Sequence, residues 1–125
     1  MHIQLEANAK NTISSYDLSK VVVNGELYQD SFILSNQSLI TPWPVDSLAD
    51  LTESTLTPII QLNPDVILIG HTNIGALLPI TIQSWLSTQR IGIECMPIGA
   101  ACRTFNVLLS ENRNVVVGFI MDKNR

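Results

Sequence analysis

The stretch DVILIG, running from Asp65 to Gly70, decides the fold. Its apolar run, Val66 to Ile69, shows no alternation with polar residues and is ended by a glycine, which is how a strand buried on both faces reads. Such a strand needs covering layers on either side, and the chain beyond it supplies them in alternation. Ile82, Trp85 and Leu86 sit at helical spacing between Pro79 and Thr88, and Ile91 to Cys95 reads as a second strand. Gly99 to Ser110 reads as a helix with Cys102, Phe105, Asn106 and Leu109 on one side, and Val115 to Ile120 as a last strand. Residues 65–121 therefore form a βαβαβ-like part around a buried sheet, which makes the chain α/β.

Upstream the pattern changes to short extended runs broken by turn residues. Asn24-Gly25 separates Lys20–Val23 from Glu26–Tyr28, and both residues tolerate the positive φ that a two-residue hairpin turn demands. Further runs at Ser31–Leu34 and Leu39–Ile40 extend this into a β-meander over about residues 13–40, which must add to the sheet or pack on it. Thr41-Pro-Trp-Pro44 breaks both patterns. Thr52 then reads as an N-cap with Glu53 in the first turn, opening a helix that runs to about Leu62 and is stopped by Asn63-Pro64. Pro58 within that pattern points to a true start near Thr57, with Pro58 at the first helical position.

A chain of 125 residues is sized for one domain with one core. Its hydrophobic fraction of 46% against 14% charged residues leaves few charges to cover an exterior, so apolar surface is expected to be buried against a protein partner or a second copy. The formal net charge of -4, with basic residues spread thinly, excludes nucleic acid as the main partner. No apolar run approaches the roughly 20 residues of a membrane span. Met1 to Lys10 lacks the marks of a secretory or mitochondrial leader, so the expected location is cytoplasmic. Cys95 and Cys102 read as separate buried thiols, and no metal-ligand spacing is present. No cofactor is implied, since the Gly70–Gly75 loop completes neither a phosphate loop nor a dinucleotide fingerprint.

The segment GAACRTFNVLLSENR, Gly99 to Arg113, resembles the signature helix of the domain of unknown function 498 family, an Ala-Ala-Cys-Arg-Thr-Tyr-Asn-Val-Leu core followed by Glu-x-Arg. Asp65–Gly70, Trp43 and Gly92-Ile-Glu94 are similar to further family features, so the resemblance spans roughly Tyr16 to Ile120. It implies a three-layer fold with a mixed central sheet, flanking helices and an additional N-terminal β layer. Relatives include a mitochondrial assembly factor of respiratory complex I and an adipogenesis-associated protein, which implies an assembly role. The chain departs from the pattern at Gly70-His71-Thr72, where Gly-Thr-Gly is usual, and at Pro97-Ile98, where Asp/Glu-Thr is usual.

If Ile67–Gly70 and Ile91–Met96 run parallel, their carboxyl ends share a sheet edge, the usual place for ligands in open α/β sheets. Gly70, His71, Gly99, Ala100, Cys102 and Arg103 then become candidate ligand-binding residues, with helix N–H groups and Arg103 holding a small anion. Cys102 and His71 are the candidate nucleophile and base of an enzymatic version. The alternative is structural: Gly99 opens a tightly packed helix, Arg103 pairs with an acid such as Glu94, and Cys102 is a packing residue beside Phe105. Asn106 is expected to bond loop backbone such as that near Trp43, Glu111 and Arg113 to pair or cap, and Trp43 to contact a partner. The leading expectation is a non-enzymatic interaction or assembly module; the runner-up is a small-anion binder or enzyme at the sheet edge.

Overall fold

In the computed structural model, which describes residues 10–73 and 75–121, eight strands and three helices build two sheets. Strands β1 (Ile13–Tyr16), β2 (Val21–Val23) and β3 (Glu26–Tyr28) form a three-stranded antiparallel sheet. Asn24 and Gly25, at φ of 52° and 85°, make the two-residue turn between β2 and β3, closing on the Val23–Glu26 pair.

The meander ends there. Strands β4 (Phe32–Leu34) and β5 (Leu39–Ile40) leave it and join the central sheet, pairing antiparallel with each other. With β6 (Val66–His71), β7 (Gly92–Pro97) and β8 (Val115–Phe119) they form one mixed sheet in the order β5-β4-β8-β6-β7. β4 runs antiparallel to β8, while β6 is parallel to both β8 and β7. The physical reason for the split is the burial of β4: Phe32, Ile33 and Leu34 are all fully buried, as a central strand requires, whereas β3 is mostly exposed. Phe32 and Phe119 form a cross-strand pair and stack with ring centroids 5.0 Å apart.

Helix α1 (Glu53–Ile60) starts where Thr52 accepts a hydrogen bond from the Thr55 N–H and the Thr55 hydroxyl accepts one from the Thr52 N–H. Pro58 therefore lies inside the helix and not at its first position. Asn63, at φ 55°, takes the left-handed position after the helix. Helices α2 (Ile80–Thr88) and α3 (Ile98–Ser110) are the crossovers that flank β7 in the chain.

Alternation along the central strands divides the core in two. Leu68, Val115, Val117 and Phe119 face α3 and the small sheet, packing with Ile13, Val21, Val23, Ala101, Cys102 and Phe105. Ile67, Ile69, Val116 and Ile120 face the other way, toward Trp43, Leu56, Ile59, Ile82 and Leu86. The result is three layers: the small sheet with α3, the mixed five-stranded sheet, and α1 with α2. Among the described residues no helix is long and apolar enough to cross a membrane.

Candidate functional site

The period of two along β6 settles which side each candidate residue takes. Ile67 and Ile69 belong to the α1/α2 side, and His71, two residues on, lines a cavity of about 250 Å³ there with Asp46, Ser47, Leu48, Thr72, Asn73 and Ile120. Cys102 lies across the sheet in the α3 layer and is 0% exposed. The sheet stands between them, so His71 is not placed to act as a base for Cys102.

Burial pushes the Cys102 thiol up to about 12, with the Arg103 charge pulling weakly the other way. A thiol so held carries almost no thiolate near neutrality and packs as a small apolar group. Cys95, half-buried on β7, is also raised by burial, and both cysteines are free. The His71 imidazole is lowered by burial; its Nδ1 accepts from the Asn73 N–H at 3.3 Å, which leaves Nε2 to carry the hydrogen of the neutral ring.

The two glycines make room for protein, not for a ligand. A Cβ on Gly70 would stand 2.9 Å from the Ala101 Cβ and 3.0 Å from the Phe119 ring, so Gly70 lets α3 sit directly on β6. A Cβ on Gly99 would stand 2.8 Å from Tyr16 Cε1. Tyr16 thus covers the start of α3, and its hydroxyl accepts a 2.7 Å hydrogen bond from Arg103 Nη1. Ala100 is half-buried beside it. Arg103 pairs with Tyr16 and not with Glu94; among the described residues the ion pair formed is Lys20–Asp17. Tyr16 was invisible to sequence reasoning because nothing local ties β1 to a helix more than eighty residues away.

Trp43 is 3% exposed and belongs to the core, so it offers no face to a partner. Its ring lies against Gly118, where a Cβ would come within 2.5 Å, and its indole N–H donates to the Thr55 carbonyl at 2.9 Å. Asn106 does bond backbone, but that of β1, through the Ile13 carbonyl. Glu111 and Arg113 end α3 through backbone hydrogen bonds to Leu108 and its neighbours.

The surface that sequence reasoning passed over is at β7. Among the described residues this strand is an edge of the central sheet, with no strand paired to its outer side. Beside it runs a groove of about 460 Å³ lined by Ala76, Leu77, Leu78, Ile91, Ile93 and Cys95, together with Gln83 and Ser87 of α2. Leu77 in its lining and Ile80, one turn ahead of Gln83 on α2, are 84% and 73% exposed, the two most exposed large apolar side chains described. The one signal in the sequence was Leu77-Leu78-Pro79-Ile80 itself, an apolar run ahead of a helix that already had its buried face.

Residues 13–120 match a family described as "Protein of unknown function (DUF498/DUF598)". A Xanthomonas campestris protein of known solution structure is 33% identical, with a TM-score of 0.85 over 95% of this chain and 90% of that one. A Bordetella parapertussis crystal structure is also 33% identical, with a TM-score of 0.80 over 93% of this chain and 99% of its own. A Francisella tularensis subsp. holarctica protein named "13 kDa major membrane protein" is 32% identical over 101 residues, 80% of this chain and 82% of that protein.

Proposed function

The chain belongs to the DUF498/DUF598 family of proteins of unknown function, and from that premise we propose that it is a non-enzymatic protein-interaction or assembly module whose contact surface is the free edge of β7 with the Leu77–Ile80 segment beside it. The observation that carries this reading is the exposure of Leu77 and Ile80, with Leu77 sharing a groove with β7, a strand that has one side unpaired among the described residues. Exposed apolar side chains grouped along an open edge are costly in water and mark a docking surface. The burial of Cys102 and its separation from His71 remove the nucleophile–base pair that an enzyme of this layout would use. A photo-crosslinking residue at Leu77 is expected to yield a covalent protein adduct in growing cells, while the same residue at Glu53, exposed on α1, yields none. Equal adducts at both positions, or at neither, contradict the reading.

We assign the module to the cytoplasm, and recovery of the protein in washed membranes would contradict that. The assembly of respiratory complexes, implied by resemblance, is the context in which partners are sought. A small-anion reading keeps one observation in its favour: exposed Arg103 forms no ion pair among the described residues and follows a helix start with no side-chain cap and no acid in its first turn, an anion there having to displace Tyr16. On that reading phosphate raises the melting temperature of the wild type and not of Arg103→Ala; equal shifts in both remove it.

A further inference from the structure

We propose that the occupant of the β7 edge is a second copy of this chain, paired antiparallel through β7 about a two-fold axis centred on Cys95, so that two five-stranded sheets become one. The inference rests on the reading of the β7 edge as the contact surface.

Open edges are ordinarily guarded by lysine, an internal proline, a bulge or short length. β7 has six residues in unbroken register with β6, a single charge at Glu94, and its proline only at the last position, Pro97. Nothing on the strand repels another strand except that one carboxylate. Glu94 then selects the register.

In a symmetric antiparallel pair the axis passes through a residue that faces its own copy, because both sheets must keep the same faces. Two centres give the longest overlap of β7 with itself, Glu94 and Cys95. Centring on Glu94 sets two carboxylates directly opposite, which is destabilising. Centring on Cys95 sets Glu94 against Met96 of the copy and Ile93 against Pro97, whose missing N–H then falls at the end of the ladder.

Side-chain alternation completes the fit. Met96 packs toward the α3 layer, whereas Ile93 and Cys95 belong to the α1/α2 side, where the groove lies. The axis preserves faces, so the two grooves come side by side across it. Leu77 and Ile80 of each chain border that joined surface, which accounts for their exposure in the single chain. A second copy also covers both open edges in one step and leaves only the two-residue β5 at each end of the joined sheet.

Sedimentation equilibrium over a concentration series, together with diamide oxidation, tests the proposal. Diamide takes up the two electrons and two protons lost as two Cys95 thiols join. Wild type and Cys102→Ser are expected to sediment at twice the chain mass and to form a covalent dimer; Cys95→Ser keeps the mass and loses the covalent species. Leu77→Asp, a change at an exposed side chain that leaves the core intact, is expected to weaken association at least tenfold. In the Cys95→Ser background, Glu94→Cys forms no self-bridge in the proposed register, and efficient bridging there overturns it. A monomer at every concentration overturns the dimer while in-cell adducts at Leu77 of some other mass would leave the interaction reading standing; absence of all adducts defeats that reading instead.

Discussion

At Gly118 the backbone of β8 passes under the Trp43 ring so closely that a Cβ would lie 2.5 Å from Cη2. Gly118→Ala is expected to destabilise the protein by about 1–3 kcal/mol by overpacking, read as a lower denaturant midpoint at unchanged slope. Ser31, 2% exposed, donates to the Val45 carbonyl at 2.8 Å and accepts from the Met121 N–H at 3.0 Å. Ser31→Ala strands both groups, at a cost of about 1–3 kcal/mol. The titrations have opposite signs. Because burial raises the Cys102 thiol, the folded state holds its proton longer than the unfolded chain, and stability falls as pH rises from the ordinary thiol value toward about 12. Because burial lowers His71, the unfolded chain takes up the proton first, and stability is lost as pH falls below the ordinary imidazole value of 6.5. An NMR titration of the His71 ring checks the second directly. The core role of Cys102 was legible from its small apolar neighbours; the side of the sheet taken by His71 was not, since a count of strand residues fixes facing only once the strand's end is known.

Elements of local origin were the readable ones. Asn24-Gly25 turns as its chemistry demands, and with open space around a Gly25 Cβ the cost of Gly25→Ala, about 1 kcal/mol, comes from its positive φ alone. Thr52 caps α1 as its sequence position implies, and Thr52→Ala should lower stability by about 1 kcal/mol in thermal unfolding. The run Val66–Ile69 became a strand buried between parallel neighbours. The failures were non-local. β4 follows the hairpin in the chain, yet its partner β8 is more than eighty residues on, and no turn signal announces such a pairing. Pro58 deceived for a related reason: the reciprocal Thr52–Thr55 bonds fix the helix start firmly enough to carry a proline in the second turn.

At the scale of the molecule, the layers of the described residues leave an edge of the central sheet open at β7, with the exposed Leu77 in the groove beside it and the exposed Ile80 at the start of α2. Composition foretold surplus apolar surface but not its address, because which strand ends a sheet is a property of topology. The measurement that tests self-association through β7 most directly is a backbone amide NMR concentration series on the wild-type protein. Progressive shifts or broadening are expected only at the amides of residues 92–96, 76–78 and 80, with the amides around His71 and Arg103 unmoved. Constant β7 amides, with changes gathered at His71 or Arg103 instead, would contradict it.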